Sequence, residues 1–300
     1  MSALGMVGLG RMGWGMTQRI RERGLDVVGY DRSPEHADVA SLEALVEALP
    51  APRVVWVMLP AGPPTQGTLD TLLTLLSAGD VVVEGGNSNF RDSVARAATF
   101  AEQGIGYVDA GVSGGVWGLT EGFCLMVGGA AEHVAAARQY FDALAPEGGF
   151  VHAGESGAGH FTKMVHNGIE YGLMQAYAEG YELMAATDLA IDVPATFAAW
   201  RHGSVVRSWL LELMVRALEE DPGLEKVRGY ADDSGEGRWT VDEAVRAAVP
   251  LPVISAALFA RFASRQDESI AMKVIATLRN QFGGHAVLPE TGETRGNVAT

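Results

Sequence analysis

The feature that most restricts the fold is "MVGLGRMG" near the N-terminus, which sets Gly8, Gly10 and Gly13 between a strand-like run and the helix-like "WGMTQRIRERG". A strand that passes into a helix through glycines at these spacings opens a parallel βαβ unit whose turn accepts a pyrophosphate. The glycines permit a tight turn and close phosphate approach, and the helix N-terminus favours negative charge. Such spacing is common by itself, and its context carries the reading. The next strand-like run, "LDVVGYD", ends in Asp31, eighteen residues after Gly13, where a carboxylate can accept hydrogen bonds from a ribose 2′-hydroxyl. Gly8, Leu9, Gly10, Arg11, Met12 and Gly13 are therefore cofactor-binding candidates, joined by Asp31, Arg32 and Ser33. Asp31 repels a 2′-phosphate and favours NAD. Arg32 keeps NADP open, because a guanidinium can contact that phosphate or stack on adenine.

Five further β-rich runs follow, "RVVWVMLP", "DVVVEGGN", "GYVDAGV", "CLMVGG" and "GFVHAG", with helical stretches between them. The alternation predicts an α/β fold, a Rossmann-type doubly wound and largely parallel sheet. It then stops, and from about Gly159 to about Gln281 the segments read as helices, followed by a polar, turn-rich end. We expect a dinucleotide-binding domain over residues 1–157, an all-helical substrate and oligomerisation domain over 158–286, and a C-terminal tail over 287–300, with the boundary in "GESGAG". Ligands of an open parallel sheet lie at the carboxyl ends of its strands. That makes Leu59, Pro60 and Ala61 of "MLPAG" a cofactor wall, and brings Asn87 of "EGGNS" and Ser113, Gly114 and Gly115 of "VSGG" to the ligands.

A net charge of −15 argues against nucleic acid or an anionic membrane as a general partner. An anionic substrate would need cations gathered locally, yet there are only three lysines, Lys163, Lys226 and Lys273. The single cysteine, Cys124, excludes an internal disulfide and a cysteine-based zinc site and fits a reducing cytoplasm. Within "FCLMVGG" it reads as a buried small hydrophobe. No signal peptide or transmembrane helix is expected, since the most apolar late stretch is broken by Pro252 and Arg261. No histidine or carboxylate spacing suggests a preformed metal site.

One of the three lysines lies in "KMVHNGIEYG". On a helix, Lys163, His166, Asn167, Glu170 and Tyr171 fall within an arc of roughly 140°, where an apolar stripe would normally lie. Such a face is either solvated or one wall of a polar site. Lys163 and Glu170, seven apart, are poorly spaced for a surface pair, which favours i, i+4.

The order "GLGRMG", "EGGNS", "DAGVSGG", "KMVHNGIEYG", "GEGRWT" and "RNQFGGH" resembles the decarboxylating 6-phosphogluconate dehydrogenases of the β-hydroxyacid dehydrogenase superfamily, in their short form. The early motifs are shared across the superfamily. "KMVHNGIEYG" is more specific, because 3-hydroxyisobutyrate-type relatives keep the lysine and asparagine without this histidine, glutamate and tyrosine.

The resemblance implies oxidation of 6-phosphogluconate to ribulose 5-phosphate and carbon dioxide. Removing the hydroxyl proton as hydride leaves requires a base, and a lysine can serve where a dry site disfavours its charged form. Lys163 is then base and acid, and Glu170 is the acid that protonates the enediol. His166 and Asn167 would orient the hydroxyl and carbonyl oxygens, with Asn87, Ser113, Gly114 and Gly115 around the carboxylate. The phosphate would be held by Tyr171, Arg238, Thr240, Arg261 and Arg279. Arg238 stands where the family commonly has lysine. Arg279 and His285 would reach a neighbouring subunit's site, implying a homodimer or homotetramer. Two alternatives remain open from sequence: a dehydrogenase for an unphosphorylated β-hydroxyacid, and a dinucleotide-binding regulator without catalysis.

Overall fold

The computed structural model describes residues 3–283 together with Ala286 and Val287. His285 and the tail from 288 onward lie outside the described residues.

Each of the seven anticipated β-rich runs forms a strand: β1 (Ala3–Val7), β2 (Asp26–Tyr30), β3 (Val54–Val57), β4 (Val81–Glu84), β5 (Gly106–Ser113), β6 (Cys124–Gly128) and β7 (Phe150–Gly154). They make one sheet in the order β2-β1-β3-β4-β5-β6-β7. Every pairing is parallel except β5 with β6, where Asp109 lies opposite Gly128 and Ser113 opposite Cys124. Residues 114–123 between these two strands hold only a 3₁₀ turn and a four-residue helix. A parallel return needs a crossover of a dozen or more residues, so this short connection reverses the chain.

The helices of this half are α1 (Arg11–Glu22), α2 (Leu42–Ala48), α3 (Pro63–Leu75), α4 (Phe90–Ala101), α5 (Gly118–Glu121) and α6 (Ala131–Leu144). They cover both faces. Met16 and Ile20 of α1 join Val134, Tyr140, Phe141 and Leu144 of α6 in one apolar core, while Leu45 of α2, Leu69 and Leu72 of α3 and Phe100 of α4 fill the other. The central runs "VVWV" and "VVVE" are buried throughout, as a strand covered on both faces requires.

The remainder is helical: α7 (Ala158–Ala185), α8 (Val193–Trp200), α9 (Trp209–Glu220), α10 (Glu236–Ala247), α11 (Pro252–Ala263) and α12 (Ile270–Gly283). Helix α7, 28 residues and about 42 Å long, sets Gly159 and Lys163 against β5 and β6, and Gly168 and Gly172 against α10 and α11. Its later turns bring Tyr177 and Tyr181 to a small core of Val193, Phe197, Leu211, Val215 and Leu218. No helix among the described residues is long and apolar enough to cross a membrane.

Cys124 departs from expectation, because its side chain is exposed. It opens β6, whose burial begins at Leu125. Cys124 shares its face with the buried Met126, but it pairs with Ser113 at the end of the strand, where that face opens on a groove with His166 and Trp209.

Candidate active site

Helix α1 starts directly on the glycine turn, with Gly10 as its N-cap. A Cβ on Gly13 would lie 1.9 Å from the Gly8 carbonyl oxygen, so only glycine lets the helix sit on the turn. Asp31 ties the turn to the end of β2: its Oδ2 accepts from the Leu9 N–H at 2.6 Å and its Oδ1 from the Ser33 N–H at 2.9 Å. Leu9 itself is buried, so its contribution here is its backbone. Arg32 and Ser33 lie exposed beyond. A helix N-terminus free to face an anion, beside a carboxylate with spare lone pairs, fits a dinucleotide.

From that turn runs a cleft of about 690 Å³. Its walls are Gly10, Arg11, Met12 and Gly13, the β3 end with Met58, Leu59, Pro60 and Ala61, the β4 end with Gly85, Gly86 and Asn87, and the β5 end with Ser113, Gly114 and Gly115. Lys163, Asn167, Glu170 and Ser234 close the far side. Strand carboxyl ends and α7 thus share one cavity.

Buried charges fix these walls. Glu84, at the end of β4, accepts the Gly86 N–H at 2.8 Å, shaping the loop that carries Asn87. Arg96 of α4 lies 3.3 Å from the same carboxylate and supports it. Asp109 of β5 accepts from the Gly157 N–H at 2.6 Å and the His160 N–H at 2.8 Å, placing a carboxylate at the N-terminus of α7. The helix dipole favours that charge. One turn later α7 presents Lys163.

The polar face of α7 divides in two. Lys163, Asn167 and Tyr171 are buried, whereas His166 and Glu170 are half-buried. Lys163 Nζ donates to Asn167 Oδ1 at 2.6 Å. It also lies 3.5 Å from Glu236 Oε2, which accepts from the Asn167 amide. His166 places Nδ1 3.0 Å from Asn167 Oδ1 and 3.9 Å from Glu170 Oε2, with Nε2 3.5 Å from the Ser113 hydroxyl. Burial pushes the Glu236 carboxyl up, against the pull of the Lys163 ammonium. Glu236 was not among the residues singled out from the sequence. Its only signal there is an acidic side chain inside "GEGRWT".

The expected phosphate-binding residues are not all brought together. Arg261 lays its guanidinium over the Tyr171 ring, 3.7 Å from the centroid, and donates to the Asp232 carbonyl at 2.7 Å. The Tyr171 hydroxyl accepts from the Ser234 N–H at 3.1 Å. Arg238 forks onto Asp233 through bonds of 2.7 and 3.0 Å, and Arg265 reaches the same carboxylate at 2.7 Å. These hydrogen bonds hold Asp233 well below the usual carboxylate range. Thr240 stands apart. It is buried, with its hydroxyl 2.9 Å from the Met164 carbonyl and 2.8 Å from that of Glu236. A hydroxyl engaged with α7 and its own helix ties the two helices together rather than facing the cleft. Arg279 is exposed on α12 and does not line the cleft.

A second groove of about 860 Å³ adjoins the first across Ser113, Gly114, Gly115 and Glu170, with mainly apolar walls that include Trp117, Phe161, Ile169, Leu173 and Trp209.

Comparison with known proteins places both halves of the chain in one family. Residues 3–154 match the family model for the NAD binding domain of 6-phosphogluconate dehydrogenase, and residues 159–288 match that for the 6-phosphogluconate dehydrogenase C-terminal domain. The NAD(+)-dependent, decarboxylating 6-phosphogluconate dehydrogenase of Haloferax volcanii is 42% identical over 296 residues, covering 95% of this chain and 98% of the relative. The 6-phosphogluconate dehydrogenase of Plasmodium falciparum, solved with NADP+ and with 6-phosphogluconate, superposes with a TM-score of 0.80 at 27% identity, covering 97% of this chain and 67% of that one. A 3-hydroxyisobutyrate dehydrogenase of Mycobacterium tuberculosis gives 0.69 at 24% identity, covering 93% and 99%, which shows the shared fold alone. A glycine turn, a buried lysine on a long helix and matches to both halves converge on one conclusion: the chain belongs to the 6-phosphogluconate dehydrogenase family.

Proposed function

We propose that the protein oxidatively decarboxylates 6-phospho-D-gluconate to D-ribulose 5-phosphate and carbon dioxide, preferring NAD. The observation that carries this is Lys163, buried beside Asn167 and Glu236 on the wall of the cleft that also holds the glycine turn. Residues 1–157 would bind the dinucleotide and residues 158–286 the sugar acid.

In its neutral form, Lys163 takes the C3 hydroxyl proton, while Asn167 and His166 orient the oxygen. The bound nicotinamide supplies the chemistry of accepting the C3 hydride. Lys163, now an ammonium, returns its proton to the C3 carbonyl oxygen as the C1–C2 bond breaks, so carbon dioxide leaves and an enediol remains. The Glu170 carboxyl then protonates the carbon that carried the carboxylate, and Lys163 takes back the enol proton. Asn87, Ser113 and the Gly114 and Gly115 backbone surround the departing carboxylate. Arg261 and the remaining donors of the Arg238 fork serve the phosphate beside Tyr171. Because Arg279 lies away from its own cleft, we place it, with His285, in the site of a neighbouring copy of a homo-oligomer.

The test compares substrates. Charge-assisted hydrogen bonds contribute about 1.5–3 kcal/mol each, so kcat/KM for 6-phosphogluconate should exceed that for gluconate by about 10²–10⁴-fold. Equal values would remove the phosphate site. NAD should give the higher kcat/KM, since the Asp31 carboxylate just beyond β2 would repel a 2′-phosphate; parity or better with NADP would overturn that preference.

A further inference from the structure

The roles above leave unused a buried carboxylate beside Lys163. Glu236 is the first residue of α10 and is 2% exposed. Gly235 before it adopts a left-handed φ of 88°. A Cβ on Gly237 would lie 2.6 Å from the Tyr171 ring, so the α10 backbone is drawn tightly onto α7. That approach delivers the carboxylate between Lys163 and Asn167. Among the described residues it is the carboxylate within 4.0 Å of Nζ, at 3.5 Å. An ammonium has three donors: one goes to Asn167 at 2.6 Å, one faces Glu236, and the third is left for the cleft.

We propose that Glu236 is a positioning residue for the Lys163 amine, anchoring Nζ together with Asn167 and setting, through its charge, the pH at which that amine can accept the substrate's proton. The second half rests on the base role given to Lys163 above. The coupling follows from distance and sign. A carboxylate 3.5 Å away favours the ammonium. Replacing it by a neutral amide removes that support, so the amine should lose its proton at lower pH. The other ionisable groups around the pair are His160 and His166 on α7 and Cys124 at the start of β6. Glu170 sits beside His166. Arg261 of α11 is turned onto the Tyr171 ring, and Asp109 of β5 is engaged by the first amides of α7. None of these stands between the two partners.

Because the chain has three lysines, 13Cε-lysine labelling gives three signals, and the K226R and K273R variants identify the other two. In the full-length protein without ligands, E236Q should move the Lys163 transition to lower pH by about 1–3 units. E236D keeps the charge but draws it back by one methylene, and should move the transition in the same direction by less. The acid limb of the kcat/KM pH profile should follow by the same amount. A merely structural role would lower activity at every pH and move neither. An unmoved Lys163 transition in folded E236Q, or in E236D should E236Q fail to fold, overturns the coupling. A transition that moves while the acid limb stays fixed keeps the coupling, but overturns the second half of the proposal together with the base assignment.

Discussion

Lys163→Met should lower turnover with 6-phosphogluconate by about 10³–10⁴-fold, the upper range for losing general acid–base catalysis, because in the proposed reaction this one side chain moves a proton in three successive steps. Methionine is unbranched and of similar length, so it can follow the lysine stem beneath the cleft. What it lacks is the donor to Asn167 Oδ1 and the cation beside Glu236. The dissociation constant of NAD should stay within about twofold, since the glycine turn and Asp31 share no partner with this side chain. Removing one partner of a buried pair generally destabilises. Here the strain is relieved by protonating Glu236, whose carboxyl burial already pushes up. The melting temperature should therefore fall most at high pH, where that proton is hardest to retain. Substantial residual turnover would take the base role from Lys163.

Glu170→Gln should produce a different defect. The side chain lines the cleft, half-buried, 3.9 Å from His166. Glutamine keeps its shape without an exchangeable acid proton. Oxidation and decarboxylation precede the step assigned to Glu170, so rapid mixing should show a burst of one NADH and one carbon dioxide per site. Steady turnover should then fall by about 10²–10⁴-fold. A linear time course at the native rate would mean that something else protonates the enediol.

The fold was largely legible because its signals are local. Each strand of the sheet is a short run that carries valine and is closed by a turn, and parallel pairing follows from helices long enough to cross over. The reversal at β6 could also have been noticed, since only residues 114–123 separate it from β5. The site was legible where one element carries it. Asp31 announced itself through its distance from the glycines, and the α7 cluster through its spacing. Contacts between distant elements were not legible. Glu236 meets Lys163 and Asn167 because α10 lies against α7, an approach that depends on Gly237 beside Tyr171 and that helical period cannot reveal. The same approach takes Thr240 away from the cleft and into the seam between the helices. The motif containing Arg238 gave no sign that Asp233 and Arg265 would share its guanidinium network. Cys124 was misplaced for a smaller reason, since the first residue of a strand lies at the rim of the sheet, where cover can end even in an apolar run.

The measurement that bears most directly on the whole reading is the stoichiometry of NADH and carbon dioxide when the purified protein meets 6-phosphogluconate and NAD. The arrangement of Lys163 and Glu170 on one wall of the cofactor cleft predicts that the two products appear together, one for one, with ribulose 5-phosphate as the sugar formed. NADH without carbon dioxide would mark a simple β-hydroxyacid dehydrogenase, and no NADH at all would contradict catalysis at this site.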